Sequence, residues 1–220
     1  MYYNTDKIYV ISLKRRQYRL TNFFNTIPSN IFDPKKICIF DAVDGLKENP
    51  PEWWSGGKGA YGCKLSHHKI WQEIIDNNYQ NTIIFEDDAI FCENFTALFY
   101  NFITNIPDDW DQAYLGGQHL NPTTRINDFV VLGANINRTH AYMIKNRDSA
   151  AKIMNNLSED QLWISNLKYN MHVDHALGYL HKNKLIKAYA SDPFLVGQNH
   201  DKFSDVGNNK SCQSKRWWNK

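Results

Sequence analysis

The chain has 220 residues, 42% of them hydrophobic and 14% aromatic, and 25 Lys and Arg against 23 Asp and Glu leave a net charge of +2. So apolar a composition excludes intrinsic disorder, the length suits one substantial core, and a near-balanced charge excludes general affinity for polyanions. No apolar run is long enough to span a bilayer, and Cys38, Cys63, Cys92 and Cys212 are too few and too irregularly spaced for a disulfide framework or a C-x-x-C metal site.

The opening MYYNTDKIYVISL lacks the order of a secretory signal and enters a strand at Lys7–Leu13, so a cytoplasmic protein with reduced thiols is expected. Leu20, Phe23, Phe24 and Ile27 follow at helical spacing, giving a β-α start. Ile37–Val43 predicts a second strand closing on Asp44-Gly45, and the Pro- and Gly-rich stretch 49–62 predicts a loop in which Trp53 and Trp54 form a flap or binding wall. From Tyr61 a helix of about four turns is expected, with Leu65, His68, Trp71 and Ile75 on its apolar stripe and His68 in the core.

Thr82 to Phe85 then reads as a buried strand running directly into Glu86-Asp87-Asp88. A helix through Phe95, Phe99, Phe102 and Ile106 ends at Pro107, and a strand is expected over Asp111–Gly117. Phe129–Leu132 and Ala141–Ile144 are short strand candidates, helices follow around Ala150–Leu157 and Val173–Leu180, and Lys184–Ala190 is expected to be the last strand. One domain over residues 1–220 is expected, with about 191–220 as an extended tail; alternating strands and helices describe an open α/β sheet with its ligands outside the strand ends. The end of that tail, SKRWWNK, is basic and Trp-rich, suited to a nucleic-acid or membrane-surface contact or to a plain terminus.

The acidic triplet is the most informative feature. Like charges so close together ask for a cation, and hard carboxylate oxygens suit Mg²⁺ or Mn²⁺. Taken with KIYVISLKRRQYRL, FDAVDG, GAYGCKLSHHKIWQEII, IIFEDDAIF, HAYMIKNRDSAAKIM and DPFLVGQNHDKFSDVG, this order of motifs resembles glycosyltransferase family 25 from about residue 7 to 206. Ser12 departs from the Asn that members usually carry after the first strand. That family contains lipooligosaccharide and collagen hydroxylysine galactosyltransferases. The resemblance implies a GT-A-type, Rossmann-like open mixed sheet with helices on both faces, a UDP-sugar donor, inverting transfer of a hexose and a divalent metal, usually Mn²⁺.

By the same resemblance, Asp88 is expected on the metal, Glu86 on the metal, its water or the ribose, Asp87 in an orienting role, and His200 as a late metal ligand. Leu13, Arg15, Arg16 and Arg19 after the first strand, Ala42, Asp44 and Gly45 after the second, and Lys64, Ser66 and His67 are expected around the donor nucleotide. Asp174 is the favoured catalytic base, with Asp111 and Asp192 as alternatives; Asn135, His140 and Tyr142 are expected to shape the acceptor side. A saccharide acceptor is the first expectation, ahead of a hydroxylated protein side chain or a hydroxymethylated DNA base. The rivals are a metal-dependent phosphohydrolase or nuclease, and a non-catalytic nucleotide-sugar-binding module.

Overall fold

The computed structural model describes residues 2–158, 160, 162–168 and 171–199. Its strands are β1 (Ile8–Ser12), β2 (Ile37–Asp41), β3 (Thr82–Glu86), β4 (Ala89–Phe91), β5 (Gln112–His119), β6 (Thr124–Arg125), β7 (Val130–Leu132), β8 (Ile136–Ile144), β9 (Ala188–Ser191) and β10 (Val196–Gln198). Eight of them form a mixed sheet in the order β2-β1-β3-β8-β5-β9-β7-β6, and β4 pairs separately with β10. β1 runs parallel to β2 and β3, β8 is antiparallel to β3 and β5, and β9 is parallel to β5. This is the expected Rossmann-like mixed sheet.

The helices α1 (Gln17–Thr26), α2 (Gly57–Asn77), α3 (Phe95–Asn105), α4 (Arg147–Leu157) and α5 (Val173–Lys182) divide between the two faces of that sheet. Strand side chains alternate in direction. Ile8, Val10, Ile83 and Phe85 therefore pack with Phe23 of α1 and Phe95, Phe99 and Phe102 of α3, while Tyr9, Ile11, Ile84 and Tyr142 pack with Trp71, Ile153 and Leu177 of the other three helices. Burial on both faces explains why β1 is apolar from Ile8 to Ile11 instead of alternating. Asn146 caps α4 by accepting from the Ser149 amide, and Asn78 ends α2 in the left-handed conformation at φ 54°. Among the described residues no helix is long and apolar enough to cross a membrane.

Four expectations need correction. The predicted loop over 49–62 ends early, because α2 begins at Gly57 and runs for 21 residues. Gly62 is helical and small for a packing reason: a Cβ there would stand 2.5 Å from the Val43 carbonyl oxygen and 2.6 Å from the Gly45 nitrogen. The buried face of α2 is Ala60, Gly62, Ser66, His67, Ile70, Trp71 and Ile74, so His67 occupies the core and His68 its margin. Apolar periodicity cannot register a histidine buried by a hydrogen bond. Trp54 is no flap, since its indole packs against Tyr61 and Trp163 and donates to the Gly57 carbonyl at 3.0 Å; Trp53 is half-buried. Finally, the strand expected over 184–190 starts only at Ala188, after a turn with Lys184 at φ 56°, and β10 then adds a strand inside the expected tail.

Candidate active site

The parallel strands β1, β2 and β3 end together, and β8 starts at the same edge because it runs antiparallel to β3. Three sets of chemistry-bearing residues meet there: residues 12–19 after β1, residues 41–45 after β2, and the acids at the end of β3. Ligand sites of open α/β sheets lie at such an edge.

Each acid is held by a different strand. Glu86 accepts the Thr139 hydroxyl of β8 at 2.6 Å and lies 3.5 Å from His67 Nε2. Asp87 accepts the Ser12 hydroxyl of β1 at 2.6 Å and faces Arg19 Nη1 at 3.5 Å. Asp88 accepts from Gln198 Nε2 of β10 at 3.1 Å, and the same Arg19 nitrogen is 4.0 Å away. Burial pushes the Asp88 carboxyl well above its ordinary range, Glu86 and Asp87 push it further, and Arg19 and Gln198 oppose them. Asp87 is also raised by burial, against the pull of Ser12 and Arg19. Burial would raise Glu86 too, but His67, Thr139 and His140 together hold it below the usual value.

Among the described residues, Asp88 Oδ1 and Gln198 Oε1 are buried side-chain oxygens with no hydrogen-bond donor. A buried, partnerless carboxylate oxygen is costly without a cation. The donor set is hard oxygen, and it fits Mn²⁺ or Mg²⁺, which take carboxylate and amide oxygens.

The residues expected around the nucleotide divide into two groups. Arg15 faces Asp44 with both contacts at 3.4 Å, and Lys14 pairs with Asp41 at 2.9 Å, so the ends of β1 and β2 are tied by charge. Ala42 donates its amide to the Ser12 carbonyl, and Leu13 leads into a short 3₁₀ turn over Lys14–Arg16, closed by the Arg16 amide donating to the Leu13 carbonyl, while the Arg16 side chain reaches the Tyr18 hydroxyl at 3.4 Å. Gly45 packs so close to α2 that a Cβ would lie 1.8 Å from the Lys58 carbonyl oxygen. In the second group the side chains are internally committed. Ser66 accepts from the Val43 amide at 2.9 Å and donates to the Gly62 carbonyl at 2.8 Å, locking the end of β2 to α2. Lys64 holds its ammonium over the Trp163, Trp54 and Tyr61 rings, at 4.7 Å from the first. His67 is fully buried with Nδ1 2.8 Å from the Tyr142 hydroxyl, which also accepts from Trp71 Nε1 at 3.0 Å.

Asp174 opens α5 at the same edge. Its Oδ2 accepts from the Arg138 amide at 3.1 Å and its Oδ1 from the His175 amide at 2.9 Å, and its charge, like those of Glu86 and Asp88, raises the Cys63 thiol beyond what burial alone does. Asp111 stands at the start of β5, on the opposite edge, where it bonds Lys152 at 2.8 Å and the Lys187 amide at 2.7 Å. Asp192 follows β9, three strands from β3, in an ion pair with Arg125. Of the three carboxylates weighed as base, only Asp174 shares electrostatic neighbours with the triplet. Tyr142 is a fully buried support for His67, His140 Nε2 lies 3.1 Å from the Val196 carbonyl, and Asn135 donates to Asn121. His200 and the SKRWWNK segment lie outside the described residues.

Thr139, Gln198 and Cys63 were not singled out by the sequence. Thr139 and Gln198 reach the acids only through strand pairing, for which no local signal exists. Cys63 sits inside the GxxGCxLSH motif one helical turn before His67, and that i, i+4 spacing was the available sign.

The sequence profile of glycosyltransferase family 25, described as an LPS biosynthesis protein family, matches residues 5–177. Procollagen galactosyltransferase 2 of Homo sapiens is 30% identical over 52% of this chain and 21% of its own length. The procollagen lysyl hydroxylase and glycosyltransferase of Acanthamoeba polyphaga mimivirus is 29% identical over 91% of this chain and 26% of its own length. The inactive glycosyltransferase 25 family member 3 of Homo sapiens is 29% identical over 53% of this chain and 22% of its own. The chain thus spans about a fifth to a quarter of the length of these relatives.

Proposed function

The chain belongs to glycosyltransferase family 25, and on that footing we propose that residues 1–220 form one GT-A-like domain that transfers a hexose, galactose or glucose, from a UDP-sugar to a hydroxyl acceptor with inversion, in the cytoplasm. The single observation that carries this reading is the buried Asp88 Oδ1, without a donor among the described residues, beside Glu86 at the edge where three parallel strands end. Asp88, with Glu86 and the Gln198 amide oxygen, would hold Mn²⁺ or Mg²⁺. When bound, such a cation neutralises the leaving diphosphate.

The remaining residues orient and neutralise. Arg19 balances Asp87 and Asp88 and keeps the acids in place. Arg15, Arg16 and Asp44, with Leu13, Ala42 and Gly45, frame the pocket for the nucleoside end of the donor. Lys64, Ser66 and His67 shape its wall through the contacts already described. Asp174 accepts the proton of the attacking hydroxyl, for which a carboxylate within hydrogen-bond reach suffices. Its two backbone hydrogen bonds fix the carboxylate and leave a lone pair on each oxygen for that proton.

A saccharide is the first acceptor, supported by the description of the family as LPS biosynthesis proteins. A hydroxylated protein side chain is the second reading, favoured by the procollagen names of two relatives, one of them aligned over 91% of this chain. The test is UDP release from UDP-galactose and UDP-glucose with Mn²⁺ or with EDTA. Metal-dependent release, abolished in Asp88→Ala with the fold retained by circular dichroism, is the expected result. Release that ignores both EDTA and the substitution would refute the proposal.

A further inference from the structure

Cys63, His67 and Glu86 offer a second, chemically different set of ligands. Their ligating atoms all lie within 4.8 Å of one another, and they are sulfur, nitrogen and oxygen instead of oxygen alone. Cys63 and His67 are four residues apart on α2, so both project from one face of the helix, and Glu86 meets them from the end of β3. His67 is fully buried, and among the described residues its Nε2, which faces Glu86 Oε1 at 3.5 Å, has no partner at hydrogen-bond geometry. Two atoms bound about 2.0–2.1 Å from one tetrahedral ion stand roughly 3.3–3.4 Å apart. His67 Nε2 and Glu86 Oε1 are 3.5 Å apart.

The surroundings are also those of a ligand set. A metal-binding imidazole is normally oriented by a hydrogen bond at its other nitrogen. His67 Nδ1 has one, to the Tyr142 hydroxyl, itself fixed by Trp71 Nε1, and Glu86 is fixed by the Thr139 hydroxyl.

We infer that Cys63 Sγ, His67 Nε2 and Glu86 bind a borderline divalent transition ion, Zn²⁺ or Co²⁺, with a fourth position open. Thiolate and imidazole select such ions over Mn²⁺ and Mg²⁺. Binding breaks the Cys63 S–H bond as the sulfur–metal bond forms, and the proton passes to solvent. The site does not depend on the transferase reading. Glu86 is nonetheless common to both sets of ligands, so an ion on Cys63 and His67 also fixes one wall of the candidate active site.

The test is titration of the metal-free protein with Co²⁺, followed by electronic absorption. One equivalent is expected to produce a thiolate-to-cobalt charge-transfer band with the intense visible bands of a tetrahedral ion, both bleached by Zn²⁺. Cys63→Ser is expected to lose the charge-transfer band and Cys92→Ser to keep it. Glu86→Gln, which preserves the shape of the side chain, is expected to weaken Co²⁺ binding at least about tenfold, a loss of the size metal-site substitutions produce. Absence of the band in the unaltered protein, its persistence in Cys63→Ser, or unchanged affinity in Glu86→Gln would each overturn the assignment. None of these readouts involves sugar transfer, so they stand whether or not that activity is found.

Discussion

Replacing Asp88 by Asn should stabilise the metal-free protein while removing its response to Mn²⁺. The Asp88 carboxyl is buried beside Glu86 and Asp87, which together with burial push its pKa well above the ordinary value, and among the described residues its Oδ1 has no donor. An unsatisfied buried acceptor costs about 1–3 kcal/mol. Arg19, 4.0 Å away, offsets part of that. Asparagine keeps an oxygen for Gln198 Nε2 and has no proton to take up or lose, so a gain of at most about 1–2 kcal/mol is expected, and for a chain of this length each kcal/mol moves Tm by about 2–4 °C. With Mn²⁺ at roughly 100 times its Kd the unaltered protein should gain about 2.7 kcal/mol by linkage, and the variant nothing. Calorimetric melts of both proteins in EDTA and in Mn²⁺ measure all four quantities. A metal-free variant that melts below the unaltered protein, together with equal Mn²⁺ shifts in both, would refute the proposal that Asp88 binds the cation.

Three further outcomes follow from the same geometry. His181 accepts the Ile136 amide at Nδ1 and lies 3.0 Å from Gln112 Oε1 through Nε2, and burial lowers its pKa to about 3. A depressed histidine binds protons in the unfolded chain first, so its contribution to stability is whole above about 6.5 and is lost as pH falls towards 3; by pH 5 it removes about 2 kcal/mol, and His181→Asn should flatten that part of the stability–pH curve in denaturant titrations. Gly62→Ala drives a Cβ to 2.5 Å from the Val43 oxygen and 2.6 Å from the Gly45 nitrogen, both rigid backbone, so a loss of about 1–3 kcal/mol or more is expected in urea melts. Asp174→Asn keeps one of the two backbone hydrogen bonds, at a cost of about 1 kcal/mol, but should lower kcat about 10²–10⁴-fold in the UDP-release assay with acceptor present; an equal, small effect on both would leave Asp174 a helix cap only.

What the sequence showed and what it hid divide along the range of the interactions. The strand Ile8–Ser12, the helix ending before Pro107 and the acids at the end of β3 were all legible, because each is written in neighbouring residues: a β-branched run, a proline, a charge beside an apolar stretch. The early start of α2 was not, because Gly56-Gly57 and Gly59 read locally as a loop, while the reason for Gly62 is the backbone of Gly45 seventeen residues earlier. The strand β10 was hidden for a related reason. Three residues carry too little pattern to announce a strand, and what makes them one is pairing with β4.

The same division explains the site. Glu86, Asp87 and Asp88 are adjacent in the chain, yet their partners are Thr139, Ser12 and Gln198, brought by three different strands. Local reading therefore finds the charges but cannot say which of their oxygens remains unsatisfied. Once Ser12 and Arg19 have engaged Asp87, Thr139 has engaged Glu86, and Gln198 has taken one oxygen of Asp88, the buried carboxylate oxygen of the triplet left without a donor among the described residues is Asp88 Oδ1. That asymmetry, produced by the fold and not by the acidic motif, makes Asp88 the position where loss of the carboxyl group should separate the proposed metal binding from folding.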